Sequence, residues 1–180
     1  MSSGRKTAPA GRTGARQAVE RLADDRLAHL VRYVARGLTR SLQIRLAEQD
    51  VQFGHWVFLR ILWDGDGLTQ KALSERAGLM ESTTHTALAK LESLGYVTRR
   101  NPPDNRRKLL VFLTPRGRKL RDLLEPMAEE VNAVSVEGLS ESEIAVLRRS
   151  LLAMAENLDA DEESASADGR GVPATRALGS

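Results

Sequence analysis

The chain has 180 residues, 41% of them hydrophobic and 4% aromatic, enough for one compact domain or one subunit of an intertwined dimer with a core of Leu, Val and Ala. A net charge of +3 is compatible with a polyanionic partner, and the absence of cysteine excludes disulfides, thiolate zinc sites and thiol-based peroxide sensing. There is no apolar run of membrane-spanning length and no hydrophobic signal core near Met1, so a cytoplasmic protein without membrane contact is expected.

Residues 1–18 carry Arg5, Lys6, Arg12 and Arg16, no acid, and many small polar residues, so they read as a disordered basic tail. From Val19 to Glu48, Leu22, Leu27, Leu30, Val31, Val34, Leu38 and Leu42 recur at helical spacing. His29, Tyr33, Arg36 and Arg40 form a second stripe on this helix at intervals of four, three and four. Gly54 to Trp63 is a shorter apolar helix that carries His55, Trp56 and Trp63.

The richest stretch follows. Thr69 precedes a helical pattern, where its hydroxyl can cap the first turn, and Ala72, Leu73 and Ala77 supply the buried spacing. Gly78 stops that helix, since a chain leaving a helix often needs the left-handed conformation that glycine adopts without steric cost. Between Glu81 and Leu94 a second helix places Thr84, Leu88, Leu91 and Leu94 on an apolar face. Its other face offers Ser82, Thr83, His85, Thr86 and Lys90, which are short, hydrogen-bonding or cationic and suit base edges and phosphates. The helix is roughly 20 Å long, a fit for a major groove about 12 Å wide.

Gly95 ends it. Val97 to Arg100 and Leu109 to Leu113 enclose a turn-rich loop and read as a hairpin, with Arg106 and Arg107 near a tip suited to a minor groove. Thr114 followed by Pro115 caps the next helix, Arg116 to Val136, and after Gly138 and an N-cap at Ser140 a last helix runs from Glu141 to Leu158. Residues 159–180 begin with Asp159, Asp161, Glu162 and Glu163 and read as a second disordered tail. The three histidines lack metal-site spacing, and no nucleophile elbow, phosphate loop or paired acid and base is present, so neither a metal, a cofactor nor an enzyme is expected.

The segments FGHWVFLRILWDGDGLTQKALSERAGL from Phe53, STTHTALAKLESLGYV from Ser82 and NRRKLLVFLTPRG from Asn105 resemble the MarR family of bacterial winged-helix transcription regulators, and with flanking helices the resemblance covers residues 19–158. It implies a mainly α fold with a small β-hairpin wing: a winged helix-turn-helix lobe at about 52–115, and an intertwined homodimer formed through helices 19–48 and 116–158. It further implies a repressor of a pseudo-palindromic operator, released by a small molecule. DNA contacts are then expected at Ser82, Thr83, Thr84, His85, Thr86, Lys90, Arg106 and Arg107, with Arg107 the minor-groove residue. An aromatic carboxylate effector is expected at His29, Tyr33, Arg36, His55, Trp56 and Trp63. Asn105 stands where the family commonly has an aspartate, Thr86 replaces a frequent arginine, and Met80 and Glu81 occupy the usual polar start of the recognition helix. The competing reading is a winged-helix protein-interaction module without sequence-specific DNA binding.

Overall fold

In the computed structural model, which describes residues 19–20, 22–101 and 109–170, the chain is mainly helical with one small antiparallel sheet. In order, the elements are α1 (Leu27–Ala47), α2 (Phe53–Asp64), β1 (Leu68–Thr69), α3 (Gln70–Ala77), α4 (Glu81–Ser93), β2 (Val97–Arg100), β3 (Leu110–Leu113), α5 (Pro115–Ser135) and α6 (Glu141–Ala167). The chain divides into two units within α1, one ending at Ser41 and the other beginning at Leu42. The basic arm, the wing tip with Arg106 and Arg107, and the last ten residues lie outside the described residues.

In the first unit Val19 and Glu20 are helical, but a turn follows and the long helix begins at Leu27, so the stretch from Val19 is not one continuous helix. The Asp25 carboxylate accepts from the Arg26 amide at 2.7 Å and lies 3.0 Å from His29 Nδ1, a local cap that interrupts the helix before Leu27.

The second unit is built around one apolar core. Phe58, Leu59 and Leu62 of α2 meet Leu73 of α3, Leu88 and Leu91 of α4, and Val97, Val111 and Leu113 of the sheet. The sheet order is β1-β3-β2, with Val97 opposite Leu113 and Leu68 opposite Val111. The two-residue strand β1 is absent from the sequence reading, because two residues are too few to show a period of two.

Three polar links tie the turn after α2 to β3 and α5. Asp66 accepts from the Leu113 amide at 3.2 Å and from Arg118 Nη1 at 2.8 Å, and Gly67 donates to the Val111 carbonyl at 2.8 Å. Trp63 Nε1 donates to the Gly117 carbonyl at 3.0 Å. Thr114 caps α5 as expected, accepting from the Gly117 amide at 3.0 Å while its hydroxyl donates to the Gly95 carbonyl at 2.7 Å.

α6 starts at a full capping box between Ser140 and Glu143, and it continues to Ala167, so residues 159–167 are helix rather than tail. Ala and Glu are good helix formers, and the acidic composition of this stretch had masked that propensity. α6 has no buried residue, and it exposes Val146, Leu147, Leu151, Leu152 and Leu158.

At Gly117 a β-carbon would lie 2.0 Å from the Tyr96 carbonyl oxygen, a backbone atom that cannot swing aside. Gly117→Ala is therefore expected to destabilise the fold by about 3 kcal/mol or more through overpacking. Denaturant unfolding checks this, and a change below about 0.5 kcal/mol would contradict the close approach.

Candidate nucleic-acid interface

The candidate surface is the outer face of α4, and its orientation is set by the turn before it. Thr69 accepts from the Ala72 amide at 3.1 Å and starts α3. At the other end Gly78 has φ 63° and ψ 31°, its amide donates to Glu75, and the Leu79 amide donates to Ser74 at 3.0 Å. These bonds satisfy the last carbonyls of α3 and let half-buried Leu79 reach the core. Met80 is the N-cap of α4 and makes no side-chain cap; Glu81 in the first turn complements the helix dipole instead.

The two faces of α4 separate by burial. Thr84, Leu88 and Leu91 are fully buried, whereas Ser82, Thr83, His85, Thr86 and Lys90 are exposed. Thr84 is thus a correction: it was expected among the DNA contacts, but it sits at 0% exposure on the core side of the helix, and its hydroxyl has no hydrogen-bond partner there. The Thr86 hydroxyl donates to the Ser82 carbonyl at 3.1 Å, so toward a ligand it presents lone pairs and a methyl group.

The end of α4 is fastened to the wing. Glu92 accepts from the Arg99 amide at 2.9 Å and from its Nε at 2.8 Å, and it also pairs with Arg99 Nη2 at 2.6 Å. The Arg99 hydrogen bonds, chiefly the side-chain one, hold the Glu92 carboxyl below its ordinary pKa against a smaller opposing effect of burial. Gly95 at φ 74° makes the turn between them, and the Tyr96 amide donates to Leu91 at 3.0 Å. On the hairpin the Arg100 guanidinium lies 4.2 Å from the Phe112 ring centroid, and Arg116 of α5 lies 5.0 Å from that of Tyr96. Neither the Glu92–Arg99 pair nor Gln70, which sits 3.2 Å from His85 Nδ1, was singled out in the sequence. The only available signal was an acid and a base flanking Gly95.

The expected effector residues are divided between the two units. His29, Tyr33 and Arg36 belong to the unit that ends at Ser41, and His55, Trp56 and Trp63 to the other. Trp56 is 6% exposed and packs edge-on to Trp63 at 5.5 Å, and Trp63 is bonded to the Gly117 carbonyl. His55 is buried with Nδ1 unpaired, and burial, helped by the charge of Lys90, pushes its pKa down and keeps the ring neutral. The open grooves beside Val51 and beside Val146 are lined by none of these six residues. Among the described residues no acidic, histidine or cysteine group is arranged to hold a metal, and no helix is long and apolar enough to cross a membrane.

Against known proteins, the MarR family profile matches residues 54–109, from the start of α2 to the wing. A transcriptional repressor of Mycobacterium bovis is 31% identical over 113 residues, which is 62% of this chain and 81% of the relative. A MarR family regulator from Listeria monocytogenes, solved in complex with a 26-mer DNA, superposes with a TM-score of 0.70 at 25% identity over 82% of this chain and 98% of the other. A MarR family protein of Mycobacterium tuberculosis in complex with salicylic acid gives a TM-score of 0.62 at 26% identity over 73% and 98%.

The Glu92–Arg99 pair yields a signed pH dependence. Because the folded-state pKa of Glu92 lies below its unfolded value, the pair's contribution is present above about pH 4.5 and is lost as pH falls through the folded value. The side chains are 34% and 22% exposed, so screening keeps the contribution to about 1 kcal/mol or less. The stability gap between the wild type and Glu92→Gln should be constant from neutral pH down to weak acid and then close. A gap that widens on acidification would contradict the pairing.

Proposed function

Starting from the fact that this chain belongs to the MarR family of winged-helix transcriptional regulators, we propose that it is a cytoplasmic repressor that binds a pseudo-palindromic operator as a homodimer and is released by a small aromatic acid. The observation that carries this reading is the outer face of α4, where Ser82, Thr83, His85, Thr86 and Lys90 are exposed together while the opposite face is anchored in the core. Short polar side chains and one cation suit an approach to base edges with flanking phosphate contact. Arg106 and Arg107 extend the surface toward the minor groove in the resemblance.

Dimerisation is supported by α6. A helix of 27 residues with no buried side chain and five exposed large apolar residues is not stable for its own sake, and a second copy is the simplest cover for it. A two-fold axis would set two α4 helices about one DNA turn apart. The aromatic-acid effector rests on the salicylic acid bound by the tuberculosis relative and on the His29 imidazole and Arg36 guanidinium, either of which suits a carboxylate. Release follows if the acid binds the DNA-incompetent arrangement more tightly.

Binding of a duplex operator, followed by fluorescence anisotropy across a salt series, tests this reading. Lys90→Ala is expected to reduce the slope of log affinity against log salt by about one, and Arg107→Ala to weaken binding by roughly tenfold or more. Unchanged affinity in Arg107→Ala would remove the wing from the interface. A wild type not retained on DNA at low salt would favour the protein-interaction module.

A further inference from the structure

Gln70 occupies the first position of α3, directly after the Thr69 cap, and its side-chain amide reaches across to α4. Its Nε2 donates to the Glu81 carbonyl at 3.5 Å, and its Oε1 lies 3.2 Å from His85 Nδ1. A backbone carbonyl can only accept, so only the NH2 end of the amide can face Glu81, and the carbonyl end is left facing His85. That oxygen also can only accept, so the imidazole must carry its proton on Nδ1. A neutral imidazole has a single N–H, which leaves Nε2 with a free lone pair on the exposed side of the helix. A free imidazole favours the opposite tautomer.

We infer that Gln70 is a positioning residue that fixes the tautomer and ring direction of His85, so that α4 presents Nε2 as an acceptor to a base carrying an exocyclic amino group. In the major groove those groups are adenine N6 and cytosine N4; guanine N7 and O6 and thymine O4 offer only lone pairs, which repel an acceptor. The neighbouring Thr86 has already donated its hydroxyl proton to Ser82, so two adjacent side chains present acceptors together. This gives the His85 position a definite preference where the residue type alone would allow either polarity. The inference rests on the DNA-reading face proposed above.

Two measurements test it. Long-range nitrogen–proton correlation on the full-length, 15N-labelled protein at about pH 8, where imidazoles are neutral, reads the tautomer without DNA. Only three histidines contribute, and His85→Asn assigns the signal. The expected result is a protonated Nδ1 and an unprotonated Nε2 in the wild type, reverting to Nε2–H in Gln70→Ala. A protonated Nε2 in the wild type, or the same pattern in both proteins, would overturn the inference.

The second measurement replaces adenine by purine, or cytosine by 2-pyrimidinone, one position at a time in the operator half-site, deleting single amino groups. At one position the wild type should lose about fivefold in affinity, the scale of one net hydrogen bond, while Gln70→Ala and His85→Ala lose less than about twofold there. An operator read with equal analogue penalties in all three proteins would overturn this inference alone. A wild type with no sequence preference would overturn the base-reading step together with the proposed function.

Discussion

Everything proposed for this chain depends on the burial of one face of α4. Leu88 and Leu91 share one core with Phe58, Leu62 and Leu73, Thr84 is buried on the same side of the helix, and that anchoring leaves the opposite face free to be short and polar without cost to the fold. The constraint extends in both directions along the chain. Upstream, the left-handed Gly78 and the capping of α3 set the angle at which α4 enters. Downstream, Gly95 and the Glu92–Arg99 pair set the direction of the hairpin that leaves it. The backbone bonds, caps and ion pair that hold this face all act within a short stretch of chain, between Thr69 and Thr114.

Local signals in the sequence were strong where a single residue dictates backbone chemistry. Thr69, Gly78, Gly95, Thr114 with Pro115, and Ser140 each mark a boundary that the structure places there or within a residue, because caps and positive φ angles are decided by neighbours in sequence. Boundaries without such a residue were misjudged. Apolar spacing carried the first helix back to Val19, although Asp24 and Asp25 interrupt it, and acidity cut the last helix at Leu158, although it continues through Ala167.

The site was legible as a face and not as a mechanism. Helical spacing separated the two sides of α4 and put Thr84 on the apolar one, where the structure has it; its place among the DNA contacts came only from the family resemblance. The links that organise the face, Gln70 to His85 and Glu92 to Arg99, join residues fifteen and seven positions apart and depend on how two elements meet. Such pairings arise from tertiary geometry, which single-residue propensity does not encode. The tryptophans show the same dependence on tertiary geometry: the edge-on contact of Trp56 with Trp63 and the bond from Trp63 to the Gly117 carbonyl are not written in the sequence.

The central claim is that this chain reads a defined duplex sequence with two copies of α4. Selection of bound sequences from a random duplex pool, using the purified full-length protein at moderate salt, tests that claim most directly. The expected result is recovery of an inverted repeat whose half-sites are centred about ten base pairs apart, as two recognition helices on one face of the duplex require. Recovery of no motif, with retention that vanishes as salt rises, would contradict it and leave only electrostatic attraction to phosphate.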